Sequence, residues 1–224
     1  ACSLHQEDDL FDDSSANRIS EALKNCKEIL IAPENGWRMK YYPASGQFFG
    51  GFNLLVSFDE KGNATIAGEI SDSDDTVTSL YSLKQSAGPV LTFDSYNEIM
   101  HLFCEPVGGI GGDFEFTIMS ATADKVVLSG TKSRNQIILV PMDKDREWSD
   151  YLDNVFKVQE EIFLGSFHLT VNGKEVGAVM QDYNVFTLTY SGSDVEVVTE
   201  EIPFIYTDEG LEFYQPVTID GVTM

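Results

Sequence analysis

The chain has 224 residues, enough for one large β domain or two small ones, and it can bury about 70% of its unfolded surface without a disulfide or metal staple. Fourteen Lys and Arg against 37 Asp and Glu leave a net charge of −23, a field that repels phosphate backbones and argues against any nucleic-acid partner. An apolar fraction of 42% and a mean hydropathy of −0.13 disfavour both a membrane-embedded chain and wholesale disorder.

The chain opens Ala1-Cys2-Ser3. A small residue before a cysteine resembles the end of a bacterial lipoprotein signal, and it predicts Cys2 as the point of lipid attachment. Several acyl chains at about 0.8 kcal/mol per buried methylene would anchor stably where one would not. A trimmed N-terminus with an incidental cysteine is the plainer account. The acidic residues Glu7, Asp8, Asp9, Asp12 and Asp13 resemble the surface-export signal of Bacteroidetes lipoproteins; a solvated tether explains them equally. Residues 1–13 are therefore expected to be a disordered acidic tether. The expected address is an exported lipoprotein of the outer membrane, exposed at the cell surface.

Ser14 or Ser15 can cap a first helix, in which Ile19, Leu23, Cys26 and Leu30 form one apolar stripe. Pro33 and Asn35-Gly36 stop it. From Trp37 the period changes to two, with turn signals about every 8–12 residues. Strands are predicted at 37–42, 52–58, 64–70, 77–84, 90–93, 114–119, 125–131 and 136–140. Residues 143–158 break the pattern, and Trp148, Leu152, Val155 and Phe156 recur at helical spacing. Six further strands are predicted at 163–171, 176–180, 185–190, 195–198, 202–206 and 211–214, with Asn172-Gly173 as a hairpin turn. From Glu175 to Met224 there are ten acids and no Lys or Arg. The predicted fold is mainly β: an N-terminal helix with an antiparallel meander over 14–142, compatible with a lipocalin-like up-and-down barrel, then a linking helix and a second, smaller, acidic β unit over 143–224.

Asn35-Gly36-Trp37, Tyr41-Tyr42-Pro43 and Gly50-Gly51-Phe52-Asn53 begin a longer pattern. It continues through Tyr81–Lys84, Gly88–Asp94, Asn97, His101, Gly112–Phe116 and Leu128–Lys132. With the cysteine at the start, this set resembles a family of Bacteroidetes lipoproteins of unknown function, domain of unknown function 4302. The resemblance implies an envelope address and a nutrient-acquisition setting; it supplies no catalytic residue.

A search for chemistry returns little. No G-x-S-x-G elbow is present, and His101 with Cys104 reads as a short turn rather than a dyad. Cys26 and Cys104 read as buried thiols, although an exported protein could pair them. No zinc spacing occurs, and Asp72-Ser73-Asp74-Asp75 lacks the EF-hand glycine and glutamate, so neither metal nor cofactor is expected. The glycines at 108–112 lack a phosphate-loop ending. Carboxylates are too many for sequence to select a catalytic pair, and the reading leans away from an enzyme. Trp37 and Tyr41 are expected in the core. Tyr42, Phe48 and Phe49, around a Gly-rich loop, are the candidate ligand-binding residues. The leading expectation is a lipid-anchored envelope module capturing a small molecule, glycan or peptide. Rivals are a lipocalin-like carrier of a small apolar ligand, a carboxylate hydrolase, and a structural subunit bound to a protein partner at the surface.

Overall fold

The computed structural model describes residues 8–164, 168–180, 183–191 and 197–224. Helix α1 (Asp8–Ile31) leads into eight strands: β1 (Trp37–Tyr41), β2 (Phe52–Phe58), β3 (Asn63–Gly68), β4 (Val77–Gln85), β5 (Pro89–Phe93), β6 (Glu115–Ala121), β7 (Val126–Gly130) and β8 (Gln136–Pro141). Each pairs antiparallel with the next, and β1 pairs with β8 to close a barrel, Trp37 opposite Pro141. Closure leaves this sheet without a free edge. The predicted meander and its barrel closure are both present.

Strand alternation decides what fills the barrel. Trp37, Met39 and Tyr41 point inward from β1, as do Leu54, Val56 and Phe58 from β2, and all six are buried in one core with residues of the other strands. Tyr41, Phe93, Phe103 and Phe116 meet edge to face at 4.9–6.3 Å between centroids. The lumen is therefore packed with side chains. The two ends are also sealed. At one, Trp37 Nε1 donates to Leu30 O at 2.8 Å, and Cys26 and Leu30 of α1 join the barrel core. At the other, the segment 94–114 folds over the strand ends, with Asn97 Oδ1 accepting from Ile99 N and Met100 N and Phe103 seated on Tyr41.

The helix departs from expectation at its start. It begins at Asp8, so Asp8–Asp13 stand within it rather than in a tether, while residues 1–7 lie outside the described ones. Only the C-terminal part of the predicted stripe packs: Ile19 is exposed, Leu23 half-buried, and Cys26 and Leu30 buried. Neither Cys26 nor Cys104 forms a disulfide.

Helix α2 (Trp148–Leu164) connects to a second sheet of β9 (Leu169–Val171), β10 (Lys174–Met180), β11 (Val185–Ser191), β12 (Val197–Tyr206) and β13 (Leu211–Phe213), all antiparallel neighbours in chain order. A last hairpin pairs β14 (Thr218–Ile219) with β15 (Val222–Thr223). Asn172 and Gly173 adopt φ of 50° and 76°, the left-handed pair that the predicted tight turn requires. Three expectations change here. Phe163 belongs to α2 rather than to a strand; the expected break between the strands at 195–198 and 202–206 is absent, since β12 runs without interruption from Val197 through Glu200 and Glu201, residues 195 and 196 lying outside the described ones; and the β14–β15 hairpin adds to the expected elements. In β12 both glutamates are exposed, one to each face of the sheet, and there charge does not interrupt pairing.

The second core contains Tyr151, Leu152 and Val155 of α2 and Phe186, Leu188, Phe204 and Tyr206 of the sheet, together with Leu55 of β2 and Ala67 of β3. Those two strands are thus buried on both faces, which is why Phe52–Phe58 is nearly all apolar instead of strictly alternating. No described helix is long and apolar enough to cross a membrane.

Candidate functional site

The seam between the two units is polar and buried. Arg38, outward on β1, donates through Nε to Asn53 Oδ1 at 2.7 Å, and its Nη1 stands 3.3 Å from Glu212 Oε1 of β13. Lys40 reaches the other Glu212 oxygen at 2.8 Å. These two cations hold the Glu212 carboxyl below its usual range, against the opposing effect of burial. Asn53 Nδ2 donates to Tyr206 O at 2.8 Å, and Tyr151 Oη donates to Asn53 Oδ1 at 3.2 Å. Each buried polar group thereby has a partner, the condition under which such a network holds an interface together.

Glu69, just beyond β3, lies at one end of this network. It is 5% exposed. Its Oε1 accepts from the backbone N and, at 3.2 Å, from Nδ2 of Asn53; its Oε2 accepts from Gln159 Nε2 of α2 at 2.6 Å. Burial raises its pKa from an ordinary 4.5 to about 7, since desolvating the anion outweighs the donors and the Arg38 charge that favour it.

Glu69 also lines a cleft of about 800 Å³ at the seam. The barrel contributes Phe52 and Ile70 beside it, and α2 contributes Gln159, Glu160 and Phe163. The second sheet closes the third side with Met180, Tyr183, Asn184 and Tyr206. Asn184 fixes the junction: its Nδ2 donates to Gly51 O at 2.8 Å, and its N donates to Phe49 O at 3.3 Å. The approach depends on Gly50, whose φ is +72° and where a Cβ would fall 2.0 Å from Asn184 O. A volume of this size, with mixed apolar and polar walls, has the dimensions of a small-ligand site.

The predicted binding residues divide. Phe48 is 67% exposed, with its ring centroid 5.0 Å from Phe49 and 6.3 Å from Tyr183; Phe49 meets Tyr183 at 4.5 Å. This aromatic group stands beside the cleft through Tyr183, and Phe48 and Tyr183 also line a second depression of about 370 Å³. Tyr42 differs: it is 3% exposed, packed on Tyr214 at 4.6 Å, and its phenol is pushed far upward by burial. It supports the loop rather than facing a ligand, because outward residues of β1 and its extension meet the second unit instead of solvent. Cys2, predicted to carry lipid, lies outside the described residues.

The remaining candidates have structural partners. His101 Nδ1 accepts from Asn97 N at 3.0 Å and its ring stacks on Phe114, while Cys104 Sγ is turned toward Met100 O and its thiol is raised to about 11 by burial. They do not form a nucleophile–base pair. Among the described residues no group of His, Cys, Asp and Glu is placed to hold a metal. Gly112 permits close packing, since a Cβ there would fall 2.4 Å from Tyr41 Oη. Glu69, Gln159, Phe163, Tyr183 and Tyr206 were not singled out from sequence. They come from four separate stretches of the chain, with Gln159 and Phe163 sharing α2, and only the fold brings them together.

Residues 7–224 match the family described as Domain of unknown function (DUF4302). The chain belongs to that family. The match takes in the barrel, the linking helix and the second sheet. No curated protein and no solved structure matches the chain. Membership carries no residue roles with it, and the site stands on its geometry.

Proposed function

We propose that the chain is a non-catalytic binding module of the cell envelope, held at the outer-membrane surface through lipid on Cys2, that captures a glycan or peptide in the cleft between its two units. The supporting observation is where space lies: the barrel lumen is filled, and the cleft of about 800 Å³ opens at the seam, beside exposed rings. A lipocalin-like carrier would need an open lumen, and Trp37, Phe93 and Phe116, each at most 1% exposed, occupy that space. The acidic surface suits a partner that is neutral or cationic rather than a nucleic acid.

Thermal unfolding against a panel of oligosaccharides, short peptides and fatty acids tests this reading. A ligand at a hundred times its dissociation constant adds about 2.7 kcal/mol, a shift of several degrees for a chain of this size. The expected result is a shift with members of the first two classes that is reduced in a Phe163→Ala variant; a shift confined to fatty acids would restore the carrier. One observation favours a hydrolase as second reading, namely a carboxyl raised to about 7 in a cleft that also holds Glu160. Against it, Asn53 and Gln159 donate to both Glu69 oxygens and fix them as acceptors. Turnover of chromogenic glycosides or peptides, lost in Glu69→Gln, would establish the hydrolase.

A further inference from the structure

Three features of the cleft point to the charge of what it holds. Glu69 lies in its wall with three protein donors on its two oxygens. An ionised carboxylate offers about four acceptor positions, so one remains for a ligand donor. Around it stand the rings of Phe52, Phe163, Tyr183 and Tyr206, of which Phe163 is 78% exposed. Ring faces are electron-rich and attract cations, most strongly where water is partly excluded. Glu160 adds a second carboxylate, and among the described lining residues there is no Lys or Arg.

The nearby positive charges are already committed. Arg38 is held by Asn53, Tyr206 O and Glu212, and Lys40 by Glu212. The groups facing Glu69 are thus Arg38 from β1, Asn53 from β2, Tyr151, Gln159 and Glu160 from α2, and Tyr206 from β12; Glu212 of β13 neutralises part of the Arg38 charge. An anionic ligand would meet two carboxylates. A neutral sugar would stack on the rings yet leave the charge of Glu69 uncompensated, and that charge is costly in a desolvated wall.

Taking the cleft as the capture site proposed above, we propose that it recognises an organic cation, an ammonium or guanidinium on an apolar stem, with the cation at Glu69 and the stem along the rings of Phe52, Phe163 and Tyr183. A basic side chain of a peptide and a free amine present this same chemistry. Recognition requires ionised Glu69, so it weakens as pH falls through about 7.

Titration calorimetry of the full chain with acetyl-Phe-Arg-amide, acetyl-Phe-Gln-amide, spermidine and maltose, at pH 8.5 and pH 5.5, tests the assignment. At pH 8.5 the arginine peptide, spermidine or both bind; the glutamine peptide and maltose bind about tenfold more weakly or not at all. Binding by the peptide alone names a peptide source, and binding by spermidine alone names a free amine. Glu69→Gln and the step to pH 5.5 each reduce the cation's affinity by about tenfold. Phe163→Ala, at a ring 78% exposed that makes none of the network's hydrogen bonds, reduces affinity with an unchanged melting temperature, so a folding defect at Glu69 cannot imitate the result. Equal affinity for the glutamine peptide, or binding of maltose alone, overturns the cation assignment and keeps the capture cleft. No heat from either cation at pH 8.5 overturns the assignment whatever the oligosaccharide and peptide panel returns.

Discussion

The barrel and the second sheet solve the burial problem in opposite ways. The barrel closes on itself, so its inward rings pack against one another and its ends are covered by α1 and by the segment 94–114. The second sheet is open, and its core is completed by α2 and by Leu55 and Ala67 on the outside of the barrel. This barrel of eight strands fills its interior with its own side chains, which leaves no room for a ligand there. An open unit needs a partner surface, and where two curved sheets and a helix meet they do not fill space completely. The cleft at Glu69 lies in that gap, so the likeness to a lipocalin barrel points away from where a ligand would sit.

The sharpest way to break the comparison is to remove one large ring from each core. Phe116 in the barrel and Phe186 in the second sheet are each at most 1% exposed. Truncation to alanine costs about 3–5 kcal/mol at such sites. Because Leu55 and Ala67 belong to the second core while standing on barrel strands, scanning calorimetry is expected to show one transition, lowered by either substitution. Two transitions, each displaced by its own variant alone, would mean that the units fold independently and that the seam is a mere contact.

Much of the barrel was legible because its signals are local. Alternation predicts the inward faces, so Trp37 and Tyr41 are expected in the core, where both are buried. The strand 52–58 was read with its observed bounds. Less could be read where neighbours decide. The start of α1 was placed six residues late because Ser14 and Ser15 are good caps and the acids before them look like solvated chain. Tyr151, buried through its bond to Asn53, was missed beside the apolar Leu152 and Val155. For the site, Phe48 and Phe49 were visible as rings in a Gly-rich loop. Glu69 was not, since one glutamate among 37 acidic residues carries no mark of its burial. That burial is imposed by Gln159 and by Asn53 from other elements.

Glu69 also sharpens the comparison, because it is the charge the seam holds at a cost. A carboxyl raised from 4.5 to about 7 makes the folded state bind more protons than the unfolded state between those values. Stability from this group is therefore full below pH 4.5, declines as pH rises, and is lost above about 7. Glu69→Gln retains an oxygen for Asn53 and removes the titration. Urea denaturation should find the variant more stable than the native chain by up to about 3 kcal/mol at pH 8 and nearly equal to it at pH 4. A gap independent of pH would mean that the carboxyl is not desolvated at the seam.

The smallest expected effect on stability separates support from recognition on the aromatic side of the cleft. Phe48 is held without being buried. Gln47 Nε2 beside it donates to Asn135 Oδ1 at 2.6 Å, and Asn135 Nδ2 donates in turn to Tyr42 O at 2.9 Å, so the loop is fixed by polar bonds and not by the ring. Phe48→Ser should therefore change unfolding free energy by no more than about 0.5 kcal/mol, as exposed positions generally do. If the ring takes part in capture, the same substitution lowers affinity for whichever ligand the cleft binds by about two- to tenfold, the scale of one aromatic contact. A loss of stability comparable to that of Phe186→Ala would show that the ring is a structural plug. Unchanged stability with unchanged affinity would confine recognition to the walls around Glu69, leaving the loop as the hinge post on which the second sheet is set.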